Sequence, residues 1–381
     1  MKHNWEYKQL GDVCNILMGQ SPSSDSYNDE SKGLPFFQGC SDFGKIHPSV
    51  TKFCSEPIRI AAENDILFSV RAPIGTMNIA NLPCCIGRGL CSFRIHDPNL
   101  QKYLFYALNV TKPKIIEKGT GSTFKAVNKD VLHKHIIPVP PMEVQEQIVA
   151  ELDKINETIE DCRELLRNLD ALSQSLFYDY FGDPVTNHKG WEKHKLSEIA
   201  KVKIGPFGSL LHKEDYIIGG IPLINPVHMV DGYVRVDNNF TISNSKKNEL
   251  NNYLLKTNDI IFGRRGDIGR CALITEKENG FLCGTGSLYV RFNGKISPIY
   301  SLWVLSEDST TKYLLEKAKG ATMLNINCGI VESVPIILPP LPLQESFARK
   351  IEAIEAQKAD IEAAIAELQT LLDSRMDYWF N

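Results

Sequence analysis

Two stretches of the chain carry apolar residues at alternating steps of four and three. In the first they are Ile148, Leu152, Ile155, Ile159, Cys162, Leu166, Leu169 and Leu176, with Ser173 interrupting the stripe. In the second they are Phe347, Ile351, Ile354, Ile361, Ile365, Leu368 and Leu372, with Lys358 at the position that matches Ile159. Alternation of this kind over about four heptads predicts a coiled-coil seam. Pro140-Pro141 and Pro339-Pro340 punctuate the starts, and Gly182-Asp183-Pro184 stops the first helix. At about 1.5 Å per residue each helix would run roughly 55–60 Å. The alternative is two amphipathic helices, each packed on its own globular domain. Stripes this narrow favour a helix partner instead, and the chain supplies two helices of matched length. They are expected to pair with each other, antiparallel, as a rod between two globular heads.

Before each helix the pattern changes to short apolar runs closed by glycine or proline. Residues 65–71 and 259–265 read as strands running into a turn, 90–95 and 287–292 as further strands, and 136–139 and 336–338 as short strands feeding the helices. Residues 100–117 and 297–318 have helical spacing. Repeated βαβ units are not evident, so each head reads as mixed α+β.

These elements recur in order. Trp5-Glu6 with Leu10 matches Trp191-Glu192 with Leu196, and Gly19 matches Gly205. Asn64-Asp65-Ile66-Leu67-Phe68 matches Asn258-Asp259-Ile260-Ile261-Phe262, and Arg71 then falls on Arg265. Gly87-x-Gly89 matches Gly284-x-Gly286, and Lys118-Gly119 matches Lys319-Gly320. After the proline pairs, Gln145-Glu146 matches Gln344-Glu345, and aromatic doublets end both helices at Tyr180-Phe181 and Trp379-Phe380. A period this long is a tandem duplication of one module, not a solenoid. The predicted segments are a head at 1–141, a helix at 142–181, a head at 182–341 and a helix at 342–381.

The 381-residue chain has an ordinary globular composition, 43% hydrophobic and 23% charged. It has neither a long apolar run nor a signal-like start, so the cytoplasm is expected and a membrane is not. Its ten cysteines are sparse and form no Cys-x-x-Cys pair, which predicts reduced core thiols and no metal site. The net charge of -4 is segregated. The helical segments are acidic, at -7 and -4, and the heads are basic, at +4 and +3, which suits a polyanion partner.

Catalytic signatures are missing. The chain holds no Gly-x-x-x-x-Gly-Lys-[Ser/Thr] phosphate loop and no His-Glu-x-x-His. Asn225-Pro226-Val227-His228 lacks the second proline and the aromatic of the Asn-Pro-Pro-Tyr signature of amino-methyltransferases, and His133-x-His135 has no matching carboxylates. The residues shared by the halves are mostly glycine, apolar and arginine, which suit approach to a phosphate chain better than catalysis. The candidate DNA contacts are Gln20 and Ser21 after the first strand, Arg71 at a strand end, and Lys118, Ser122, Thr123 and Lys125 in a glycine-rich loop. The second head offers Gly208 and Ser209, Arg264 and Arg265, and Lys319 with Thr322. The arginines could read guanine bidentately or clamp phosphate. Solvated loops and surface salt bridges are the plainer reading of the same residues.

The layout of head, heptad helix, head, heptad helix, with the Trp-x-x-x-x-Leu opening, the Asn-Asp-Ile-[Leu/Ile]-Phe strand with its arginine, and the Pro-Pro-x-x-x-Gln approach to each helix, resembles the DNA-specificity (S) subunit of type I restriction–modification systems. The resemblance covers essentially the whole chain. It implies that each head is a target recognition domain reading one half of a split, asymmetric sequence in double-stranded DNA. It also implies that the helices set the gap and dock two methyltransferase (M) subunits, through which nuclease/translocase (R) subunits join. The chain would then be non-catalytic and without a cofactor of its own, with S-adenosylmethionine, ATP and magnesium in the partner subunits. The alternative is a DNA-binding scaffold of a related defence system with a different effector.

Overall fold

The computed structural model describes residues 5–95, 100–120, 125–206, 210–294, 296–318 and 324–380. The chain forms two compact units, Met1–Arg163 with Ala363–Asn381, and Glu164–Glu362. Each of the two long helices, Met142–Phe181 and Leu341–Phe380, therefore gives one part to each unit.

In the first unit a four-stranded antiparallel sheet runs in the order Cys14–Met18, Leu90–Ile95, Ile66–Ser69, Met77–Ile79. Period-two alternation divides its side chains between two cores. Ile66, Phe68, Cys91 and Phe93 join Leu104 and Leu108 of the helix Gln101–Glu117. Leu67 and Leu90 face the other way, onto Phe37 and Ile86. Burial on both faces explains why these strands read as continuous apolar runs instead of alternating ones. Phe37 and Ile86 belong to a second sheet, in which Leu34–Phe37 runs parallel to Cys84–Ile86. Glu6–Gln9 pairs with Ile136–Val139, so the start of the head is tied to the strand that leads into the long helix.

The second unit repeats this plan. Its sheet runs Ala200–Ile204, Ser287–Phe292, Ile260–Gly263, Cys271–Leu273. Ile260, Phe262, Leu288 and Val290 fill one core, while Ile261 and Tyr289 fill another. Ile221–Ile224 runs parallel to Leu282–Cys283, and Lys193–Lys195 pairs with Pro335–Ile337. The stretch 297–318, read as helical from its spacing, holds two helices, Pro298–Ser306 and Asp308–Lys317. Glu307 breaks them with an extended backbone, and its buried carboxylate accepts from Gln174 Nε2 at 2.9 Å and Tyr178 Oη at 3.0 Å.

The long helices pair antiparallel. In the first unit the start of one meets the end of the other: Glu151 accepts from Arg375 Nε, from Arg375 Nη2 at 3.0 Å and from Trp379 Nε1 at 2.8 Å. That pairing holds the Glu151 carboxyl below its ordinary pKa. In the second unit the positions matching Glu151 and Trp379 are Lys350 and Tyr180, and Lys350 Nζ lies 4.9 Å from the Tyr180 ring centroid. Matched positions thus hold the helix pair by an ion pair in one unit and a cation–π contact in the other.

Of the expected seam, Ile148, Leu152, Ile155 and Ile159 are buried, as are Phe347, Ile351 and Ile354. Leu166, Leu169, Ile361, Ile365, Leu368 and Leu372 are only half-buried. The difference follows from what covers each stretch. Ile148 and Leu152 pack with Tyr103 and Ala107 of the first head, and Phe347 with the core of the second. There Phe181 lies 4.6 Å from Tyr300 and 5.1 Å from Phe347, ring centroid to centroid. Lys358, at its seam position, makes ion pairs with Asp170 on the opposite helix at 2.8 Å and with Glu355 at 3.0 Å. Ser173 is buried in the stripe, and its hydroxyl has no partner among the described residues.

Candidate nucleic-acid interface

The residues that recur between the halves build a frame. Asn64 and Asn258 adopt left-handed backbone at φ 69° and 70°, a conformation asparagine tolerates better than most residues. Each turns the chain so that the following aspartate is buried. Asp65 accepts from Arg94 Nε at 3.2 Å, from Arg94 Nη2 at 3.0 Å and from the Ala62 amide at 2.9 Å. Asp259 accepts from Arg291 Nε at 2.7 Å, from Arg291 Nη2 at 2.6 Å and from the Lys256 amide at 2.7 Å. Fork-to-fork pairs of this kind lock two neighbouring strands. Tyr103 Oη donates to Pro138 O and Tyr300 Oη to Ile337 O, each at 2.8 Å, tying the next helix to the strand that feeds the long helix. Gln145 and Gln344 donate to Pro140 O and Pro339 O, each at 2.7 Å.

Glycine is required where backbones cross. A Cβ on Gly19 would lie 2.1 Å from Gly87 O, and one on Gly205 would lie 2.0 Å from Gly284 O. Gly19 and Gly205 therefore let the end of the first sheet strand sit against the Gly-x-Gly turn, a structural duty distinct from phosphate approach.

A chain of hydrogen bonds gathers the candidate contacts of the first head along one rim. Gln20 N donates to Ile86 O at 3.0 Å, and Arg88 N to Ser21 Oγ at 3.2 Å. Gly89 N donates to Gln38 O at 3.1 Å, and Val70 N to Gly89 O at 2.9 Å. Arg71 bridges Ala126, next to Lys125, and Ala126 also pairs with Thr120. Gln20, Gln38, Arg71, Arg88, Lys118 and Lys125 are exposed. None of the four cations makes an ion pair among the described residues. Gln38 and Arg88 were not among the sequence candidates. The signal that could have found Arg88 was its place inside the repeated Gly-x-Gly; Gln38 lies in unmatched sequence.

In the second head the same frame carries different side chains. Arg265, the counterpart of Arg71, is exposed and bridges Asn325. Arg264 departs from its expected role. It occupies the position of buried Val70, is 4% exposed, and donates from Nε to Asn325 Oδ1 at 3.3 Å. Its Nη1 has no partner among the described residues, and burial lowers its pKa. Adjacent arginines on a strand edge place their side chains on opposite faces, so only one of this pair can reach the surface. Asn225-Pro226-Val227-His228 serves the frame. Asn225 Oδ1 accepts from Gly286 N at 3.3 Å, and buried His228 Nδ1 accepts from Asn225 N at 3.1 Å. His135 is also a core residue, hydrogen-bonded to Thr111 at 2.9 Å, with burial pushing its pKa down to about 4. The candidates Ser122, Thr123, Gly208, Ser209, Lys319 and Thr322 lie outside the described residues.

The ten cysteines are free thiols, seven of them buried, and burial pushes Cys14 and Cys84 up to about 12. Among the described residues no group of histidine, cysteine and carboxylate side chains could hold a metal ion, and no helix is long and apolar enough to cross a membrane.

A duplicated α+β head on an antiparallel helix pair, with a cationic rim on the first head, has the architecture of a two-headed recognition module. The sequence description of the type I restriction modification DNA specificity domain matches residues 2–169 and 188–370, and the chain belongs to that family. A protein assigned as the MjaX type I restriction enzyme specificity subunit of Methanocaldococcus jannaschii is 42% identical over 160 residues, which is 41% of this chain and 38% of that relative. The MjaIX specificity subunit of the same organism is 23% identical over 97% of this chain and 91% of its own length. The crystal structure of the type I restriction–modification S subunit from M. genitalium shares the fold, with a TM-score of 0.61 at 15% identity over 100% of this chain and 97% of that one.

Proposed function

We propose that this chain is the DNA-specificity subunit of a type I restriction–modification complex. Each head reads one half of a split, asymmetric duplex target. The antiparallel helices set the gap and dock two methyltransferase subunits, through which nuclease/translocase subunits join. The observation that carries this reading is one frame repeated twice with different side chains on it. In the first head the exposed Gln20, Gln38, Arg71 and Arg88 stand on the rim; in the second the exposed Arg265 stands there with the half-buried Thr285, and half-buried Asn225 holds Gly286 N. A duplicated reader with unlike reading residues suits two unlike half-sites, not a palindrome. Joining two modest readers raises overall affinity through effective concentration. The chain supplies the address. The methyl donor S-adenosylmethionine, and the ATP and magnesium of translocation, belong to the partners.

The test is a map of methyladenine across the genome with the gene intact and deleted, in a host that expresses the partner methyltransferase. Loss of one split, asymmetric motif on deletion is expected. An unchanged map would overturn the reading.

A further inference from the structure

We propose that the central residue of each Gly-x-Gly turn, Arg88 in the first head and Thr285 in the second, reads a base of its half-site. The assignment rests on the specificity-subunit reading and adds to it the residues that carry the address.

The geometry is shared by the two heads. Leu90 N donates to Gly87 O at 3.0 Å and Ser287 N to Gly284 O at 3.1 Å, so Arg88 and Thr285 each sit at the first corner of a four-residue turn. Both turns are clamped from three sides. Gly19 N donates to Leu90 O at 2.9 Å and Gly205 N to Ser287 O at 3.1 Å. Gly87 N donates to Phe37 O at 2.8 Å and Gly284 N to Ile224 O at 2.9 Å. Val70 N donates to Gly89 O at 2.9 Å and Arg264 N to Gly286 O at 3.0 Å. The flanking glycines leave little room for a side chain: a Cβ on Gly89 would lie 2.4 Å from Gln38 O and one on Gly284 2.2 Å from Asn225 Oδ1, while one on Gly87 or Gly286 would meet its nearest neighbour at 3.0 or 3.1 Å. A turn held this firmly presents its corner residue with little loss of backbone entropy on binding.

The corner is also where the heads differ. Arg88 is exposed and forms no ion pair or hydrogen bond through its guanidinium among the described residues, so five donors in a rigid fork are available. The exposed amides of Gln20 and Gln38 flank it across the hydrogen bonds described above. Arginine matches guanine O6 and N7, and glutamine matches adenine N6 and N7. In the second head the corner is Thr285, and Asn225, the counterpart of Gln38, spends its side-chain oxygen on Gly286 N. Threonine suits a thymine methyl or a single hydrogen bond. The same frame therefore yields a guanine-reading corner in one head and a weaker, more apolar one in the other.

Methylome sequencing of hosts carrying wild type, Arg88→Ala, Arg88→Lys and Thr285→Ala, each with the partner methyltransferase, tests this. Both Arg88 variants are expected to relax one G·C position in one half of the motif, leaving the other half and the gap unchanged. Thr285→Ala is expected to alter only the other half. In duplex binding by the assembled complex, replacing that G·C pair should weaken wild type roughly 5- to 150-fold and Arg88→Ala far less. An unchanged motif in both Arg88 variants would overturn the assignment while leaving the wild-type split motif, and so the specificity reading, intact. Uniformly reduced methylation at every site, rescued by lysine, would show a phosphate contact and also overturn it. A wild type with no split motif would sink both.

Discussion

Replacing Asp259 with alanine tests whether the recurring Asn-Asp-Ile motif is a strand lock. Asp259 is 1% exposed and accepts three hydrogen bonds of 2.6–2.7 Å, two from Arg291 and one from the Lys256 amide. Alanine leaves Arg291 Nε and the Lys256 amide without an acceptor, while Arg291 Nη2 keeps Leu254 O at 3.2 Å. Losing one member of a buried pair costs about 3–5 kcal/mol. The Arg291 side chain keeps 30% of its surface in water, which places the expected cost near the lower end, about 3 kcal/mol. For a unit of this size that lowers the unfolding temperature by about 6–12 °C. The repeat supplies an internal control. Asp65 makes the same pair, but its bonds to Arg94 are 3.0–3.2 Å and Arg94 is 47% exposed. Solvent screening weakens the Arg94 pair, but Asp65 also accepts from the buried Ser92 Oγ at 3.1 Å, so Asp65→Ala should cost about 2 kcal/mol. Urea titration of wild type, both alanine variants and Asp259→Ala/Arg291→Ala gives the ranking and the coupling energy. Hydrogen exchange read by mass spectrometry assigns each loss to its unit. A cost below about 1 kcal/mol for Asp259→Ala, or a larger cost for Asp65→Ala, would refute the strand-lock argument.

Three further outcomes are expected. A seven-residue insertion in each long helix should change the gap of the methylated motif and neither half-site, read by methylome sequencing; an unchanged gap would sink the ruler role. Arg265→Ala should lower the salt dependence of duplex binding by about one counterion, because Arg265 is exposed, whereas Arg264→Ala should shift unfolding and leave the salt slope alone. Stability should depend on acid through His135, whose folded pKa of about 4 lies below the ordinary 6.5. The neutral ring favours the folded state, so this stabilisation is complete above about pH 6.5 and is lost as pH falls towards about 4, as denaturation at stepped pH would show. His135→Gln should flatten that limb.

Much of the fold was legible in the amino-acid order because it is carried by local periodicity. The four-three stripes specify two helices, since a helix brings residues three and four apart onto one face whatever lies beyond it. The repeat is legible for a related reason. Asn64 and Asn258, Gly19 and Gly205, and the Gln145 and Gln344 pair meet steric or hydrogen-bonding demands that few other residues satisfy. Those demands recur wherever the frame recurs. Pattern alone did not show the break at Glu307, because the carboxylate is satisfied by Gln174 and Tyr178, more than a hundred residues away in sequence.

The rim was less legible. From sequence, Arg264 and Arg265 were equal candidates. The strand's alternation and the packing beneath it bury one and expose the other. Arg88 lay unread inside the repeated Gly-x-Gly, and its place came only with the turn closed by Ser21, Gln38 and Val70 from three separate segments. Composition and periodicity by themselves determined that this protein is a duplicated α+β head on paired helices with basic heads and acidic helices. Which cation reaches the surface, and which residue stands at the clamped corner of each head, was decided only by tertiary structure. Exposure is set by contacts between segments distant in the chain, and no local pattern encodes them.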